Sequence, residues 1–313
     1  MKKERTDRRA SSKPLAVIFS DHFKGDITEK IMKKHVGFLF ILLTYILTWS
    51  VEIPTALTKH GYITINIPKA IQTICTLSPG IVAIMLTAIY FGKNGLNFLF
   101  KAIVKWRVKF KWYIIILILG IALCALSLLL FNWMIRQNIK PDEPYNFIFY
   151  FLLILPLSAL WEEIGWRGFL LPILQKRYSS LKSSFIIGFV WGLWHLPIYL
   201  ALNAYGDKTI IFFLIMFIGC FALSIIATWL FNSTKGSVFI CILLHNAINT
   251  SAAYFYGNLQ GEELRPLIIL VALLLTSAII IRFKTRGSLN ENEQLRTPWM
   301  GSERYELTWQ KLE

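Results

Sequence analysis

An all-α, polytopic membrane helix bundle with about eight transmembrane helices is what this sequence predicts, on three observations. Hydrophobic residues make up 55% of the 313 and charged residues only 16%. The apolar residues come in blocks of about twenty, the length that spans a bilayer. Lys and Arg gather in alternate connections between those blocks, as the positive-inside rule requires of a multi-pass chain.

The apolar blocks place spans at 36–57, 69–91, 112–135, 146–172, 183–202, 209–231, 237–256 and 266–283. The first is the least regular, with Glu52 and Pro54 near its end. Twenty-five Lys and Arg lie in the N-terminal segment, in the connections after spans two, four and six, and in the tail. Five lie in the other connections, and Lys69, Arg167 and Arg282 lie inside spans, the first and last at span ends. Both termini are therefore expected in the cytoplasm. The net charge, 33 basic minus 18 acidic or +15, sits beside the apolar blocks. Its expected partner is anionic lipid at the cytoplasmic face, and no nucleic acid is expected.

Residues 1–35 read as a cytoplasmic basic segment, too charged for a cleaved signal peptide. Within it Phe19, Phe23, Ile27 and Ile31 recur every fourth residue. A helix lying on the inner surface and a disordered basic arm both fit that pattern. Residues 36–283 read as one membrane domain with no internal repeat or linker, and 284–313 as a polar cytoplasmic tail. Cys75, Cys124, Cys220 and Cys241 fall in apolar blocks without a CxxC, so they read as small core residues.

The stretch "LWEEIGWRGF" at 160–169 interrupts this hydrocarbon with three charges. Each charge at mid-bilayer costs about 2.5–3.5 kcal/mol on the insertion scale. Glu163 and Arg167 are four residues apart on one helical face and form a candidate structural ion pair. Glu162 is rotated from them by about 100° and lacks that partner. Burial disfavours a charged carboxylate, which is how such a group becomes a usable general base.

His195 in "WGLWHLP" and His245 in "LLHNAIN" are the two histidines well inside spans, and Asn249 shares the His245 face. At 1.5 Å per residue, Glu162, His195 and His245 all fall roughly 14–20 Å deep. Taken singly, each has a plainer reading: a structural clamp, a hydrogen-bonded core histidine, an interhelical amide bond. "GFVWG" from Gly188 to Gly192 reads as close helix packing. Trp161, Trp166, Trp191 and Trp194 read as packing, or as a lipid-binding wall.

Together the polar residues resemble a known family. "EEIGWRG" resembles its EExxxR motif, "WGLWH" its FxxxH motif and "HNAIN" its HxxxN motif, in order, within a motif core of about 146–256. The family is the CPBP family, of type II CAAX prenyl proteases and bacteriocin-processing or Abi proteins. Trp191 stands where the second motif usually has Phe. The resemblance implies an intramembrane endopeptidase that hydrolyses a peptide bond of a membrane-associated peptide or protein substrate. In that scheme Glu162 activates water with help from His195, and His245 and Asn249 stabilise the oxyanion. Glu163 assists or orients, and Arg167 is mainly structural.

No cofactor is expected. A zinc enzyme is the alternative, because two histidines and a glutamate are a known catalytic zinc set, although Asn249 suits a zinc shell poorly. A transporter or proton relay would use the same buried charges but calls for paired broken helices, which the sequence does not display. A non-catalytic scaffold or immunity protein is the third alternative. The residues do not select among prenylated tails, bacteriocin leaders and other peptide precursors. The absence of an organellar targeting segment and the Abi-like motif spelling favour a bacterial plasma membrane and a bacterial peptide or membrane-protein substrate.

Overall fold

The computed structural model describes residues 26–202, 206–259 and 261–291. The expected surface helix over Phe19 to Ile31 lies largely outside these residues, as does the end of the polar tail. Among the described residues the structure is helical and without strands. In chain order the helices are α1 (Asp26–Lys59), α2 (Lys69–Thr76), α3 (Ser78–Ile103), α4 (Lys111–Ile135) and α5 (Pro144–Gln175). They continue with α6 (Ser180–Leu202), α7 (Gly206–Ser233), α8 (Val238–Tyr256) and α9 (Leu264–Lys284). All but α2 are long and apolar enough to cross a membrane, which makes eight candidate spans. This is a multi-pass membrane protein.

Two expected boundaries move. The first helix begins at Asp26, ten residues before the expected span. The second span was expected at 69–91, but that stretch is divided between α2 and the start of α3. Pro79 cannot continue a preceding helix and suits the first turn of a new one, so α3 starts at Ser78. The helix then bends at Gly92, whose φ of 57° no ordinary residue adopts cheaply, and resumes to Ile103. Lys93 and Lys101, counted in a connection, therefore lie on α3. The first residues of the tail pack against the bundle. Leu289 and Asn290 are buried, and Glu291 pairs with Lys111.

Lipid tails are as apolar as leucine, so helices in a bilayer associate by close packing at small residues and by interhelical hydrogen bonds. Both devices converge on α5. A Cβ on Gly165 would lie 2.6 Å from Pro79 Cβ, and one on Gly80 would lie 2.8 Å from the Trp161 carbonyl oxygen. The start of α3 thus lies directly against the charged stretch of α5.

The "GFVWG" expectation of close packing holds. A Cβ on Gly188 would come within 2.9 Å of Phe221 Cα, and one on Gly192 within 2.6 Å of the Phe217 ring, so α6 presses onto α7. On the far side Gly120 of α4 meets Ala247 of α8, where a Cβ would lie 2.6 Å from the alanine's own. Helices α5, α6 and α8 are thereby drawn around one interior space.

Candidate active site

The charged turn of α5 is irregular. Leu155–Ala159 and Ile164–Leu170 are both wound as π-helix, and Leu160–Glu163 is the α-helical turn between them. Pro156 lacks the N–H that an α-helical ladder needs, which accounts for the first widened turn. Glu162 and Glu163 consequently leave the helix toward different neighbours.

Glu163 faces the protein interior. Its Oε1 accepts from Arg167 Nη1 at 2.8 Å and from His245 Nδ1 at 2.9 Å, and both partners are buried. Arg167 donates its other terminal nitrogen to Ser224 Oγ at 3.2 Å and lies 4.7 Å from the Trp191 ring centre. The expected ion pair is therefore present, and it is coupled to a histidine from α8.

Glu162 faces a cavity. Its Oε1 accepts from Ser158 Oγ at 2.8 Å, and its Oε2 accepts from Trp191 Nε1 at 2.6 Å. His195 Nε2 stands 3.9 Å from Oε2, too far for a hydrogen bond. His195 ends the first part of α6, at a turn where its N–H bonds to Gly192 rather than one residue further back. Pro197 frees the backbone there. The His195 ring is held by Trp191, whose carbonyl oxygen lies 2.9 Å from Nδ1, and by Trp194, 4.7 Å away in an edge-on contact. Trp194 in turn donates to Thr48 of α1 at 3.0 Å, and Thr48 shares a hydrogen bond with Ser78 of α3.

Glu162, His195, His245 and Asn249 all line one cavity of about 500 Å³. It extends along α8 to Tyr256 and is walled on the other side by α7 and α9, through residues such as Met216 and Leu270. Glu163 and Arg167 do not line it. Of the residues taken from the motifs, four thus meet at the cavity and two stand behind it.

Trp191 and Ser158, which the sequence reading left as packing and as nothing, contact Glu162 directly. Ser158 stands four residues before Glu162 on the same helix, a spacing that could have flagged it. No comparable signal marks the indole of Trp191. Among the described residues no three His, Cys, Asp or Glu side chains are grouped closely enough to hold a metal ion.

Comparison with known proteins bears on the same region. Residues 144–251, which hold α5 through most of α8, match the model of the type II CAAX prenyl endopeptidase Rce1-like family. This segment belongs to that family. The Rce1-like segment contains every motif residue named above. The chain is also similar to CAAX prenyl protease 2 of Methanococcus maripaludis, at 36% identity over 102 residues, which are 31% of this chain and 38% of that protein. A second relative is lysostaphin resistance protein A of Staphylococcus haemolyticus, at 25% identity over 148 residues, or 44% of this chain and 39% of the relative. The chain thus spans about two fifths of the length of these curated relatives. The Rce1-like match spans α5, α6, α7 and most of α8, and so includes the helices that carry the four polar residues at the cavity.

Proposed function

We propose that this protein is an intramembrane endopeptidase that hydrolyses a peptide bond of a membrane-associated peptide or protein. The observation that carries the reading is the cavity onto which Glu162, His195, His245 and Asn249 open from three helices. The Rce1-like segment supports it.

The nearest neighbour of His195 Nδ1 is a carbonyl oxygen, which can only accept, so Nδ1 carries the hydrogen. In the neutral ring Nε2 is then an acceptor facing Glu162 Oε2 at 3.9 Å. A water donating one hydrogen to each, at about 2.8 Å, spans that gap. As the water oxygen bonds to the substrate's carbonyl carbon, Glu162 takes its proton. That proton passes to the leaving nitrogen as the C–N bond breaks.

His245 and the Asn249 carboxamide supply donors to the oxyanion. To do so through Nε2 while Nδ1 donates to Glu163, His245 must be an imidazolium. Its charge and that of Arg167 then balance those of Glu162 and Glu163, and a low-dielectric site favours neutrality. Glu163 is in this reading a positioning residue for His245, with Arg167 as its counter-ion.

The reaction proposed is metal-free, supported by the amide in the motif set, which suits an oxyanion hole better than a zinc shell. Activity that disappears on thorough chelation and returns with zinc would overturn that part. The Lys and Arg distribution supports both termini in the cytoplasm and anionic lipid at that face, and the Abi-like motif spelling supports a bacterial plasma membrane. The archaeal relative's name makes prenylated tails a class to test beside unprenylated peptides.

The decisive experiment uses purified protein in liposomes with two internally quenched peptides, one ending in a prenylated CAAX-type tail and one an unprenylated apolar leader. Wild type should cleave at least one, and Glu162→Gln neither, at unchanged thermal stability. Equal cleavage by the two proteins, or none by wild type, would favour a scaffold and end the reading.

A further inference from the structure

We propose that Trp191 is a positioning residue of this site, setting both the general base and its imidazole neighbour against a shared water. The inference rests on the reading of Glu162 as general base. One residue holds two groups by two different atoms. The indole N–H donates to Glu162 Oε2 at 2.6 Å, and the main-chain oxygen accepts from His195 Nδ1 at 2.9 Å.

With Ser158 donating to the other carboxylate oxygen at 2.8 Å, both oxygens of Glu162 have a fixed donor and the carboxylate plane is set. The consequence is the 3.9 Å separation between Oε2 and His195 Nε2. Without the indole, Glu162 is free to turn toward His195 and close the gap in which a water would be activated.

Ring packing alone does not account for this arrangement. The Trp191 ring lies beneath the Arg167 guanidinium at 4.7 Å and meets the His245 ring at 5.2 Å, nearly edge-on. A phenyl ring, the usual occupant in the resembling family, would keep an aromatic wall there with a smaller ring. It would have no hydrogen to give. The donor is therefore a property of this chain, placed on the carboxylate oxygen nearer to His195. A hydrogen bond to an ionised group is shorter and stronger than one between neutral groups, enough to set which way a buried carboxylate turns.

The test separates donor from shape. Trp191→Phe removes the N–H and some volume. Replacement of Trp191 by β-(3-benzothienyl)alanine removes the N–H and keeps the bicyclic shape. Both are assayed in liposomes with the two quenched peptides, and the Glu162 carboxyl is followed by infrared titration, its band identified by its loss in Glu162→Gln.

A lost donor to the charged form lets the proton stay on to higher pH. Both variants should therefore show kcat lowered about 10- to 100-fold with KM nearly unchanged. The acid limb of the rate profile and the infrared titration should both move up by about one pH unit. A benzothienyl variant with wild-type rate, acid limb and infrared titration would overturn the proposal and leave only packing. If no protein cleaves either peptide, the endopeptidase reading fails, and the infrared titration still decides the role of Trp191.

Discussion

Glu162 and Glu163 are neighbours in sequence with opposite surroundings. Glu162 meets two uncharged donors and a cavity, whereas Glu163 meets a guanidinium and an imidazole and has one buried oxygen without a partner. Breaking a buried pair from one side is costly because the other charge is stranded, typically by about 3–5 kcal/mol. Arg167→Met should therefore unfold at clearly lower temperature in detergent, and Glu163→Gln/Arg167→Met should recover most of that loss while remaining inactive. A double variant as unstable as the single one would contradict the account of Glu163.

Asn249 makes no hydrogen bond among the described residues and lines the cavity, so its amide is free for a ligand. Asn249→Ala should lower kcat about 10²- to 10³-fold with thermal stability unchanged, as expected for a lost oxyanion donor. Glu52 is a different case. It is buried on α1 with no hydrogen bond or ion pair among the described residues. A carboxamide there loses no partner, so Glu52→Gln should match or exceed wild type in thermal stability.

Among helices, the contacts that matter involve backbone. The Gly165 and Gly80 contacts set the distance between α3 and the charged turn of α5, and each would place a Cβ inside 3 Å of a main-chain oxygen. Main chain cannot swing aside as a side chain can. Gly165→Ala should thus cost about 1–3 kcal/mol and depress activity by shifting Glu162 against His195. Thermal denaturation and the peptide assay measure the two effects, and a fully active, fully stable variant would show that α3 does not position the site. The π-helical turns on either side of Glu162 belong to the same level, since they decide which of two adjacent carboxylates reaches the cavity.

Across the bundle, the short segments 104–110, 176–179, 234–237 and 285–291 lie at one end, and 136–143 and 257–263 at the other. The basic residues crowd the first end even after Lys93 and Lys101 are reassigned to α3. Single cysteines introduced at Arg107 and Arg136 in a cysteine-free background should react oppositely with an impermeant maleimide added to intact cells. Position 136 should label and position 107 should not. The reverse pattern would invert the expected orientation.

The eight spans and the identity of the polar residues were legible because a bilayer imposes a length and charges inside it are expensive. The boundary of the second span was not, because α2 and α3 are both apolar and only Pro79 and Gly92 mark where helix geometry breaks. Periodicity separated Glu162 from Glu163 and paired the latter with Arg167. It had no means of finding that Glu163 also holds His245, 82 residues away, or that Trp191 donates to Glu162.

Composition and spacing alone therefore establish a helical membrane protein with a carboxylate, two imidazoles and a carboxamide at one depth. Which side chains touch, and which carboxylate opens on the cavity, depends on how α5, α6 and α8 are rotated about their axes. Glycine contacts and widened turns set that rotation, and both are relations between helices distant in sequence.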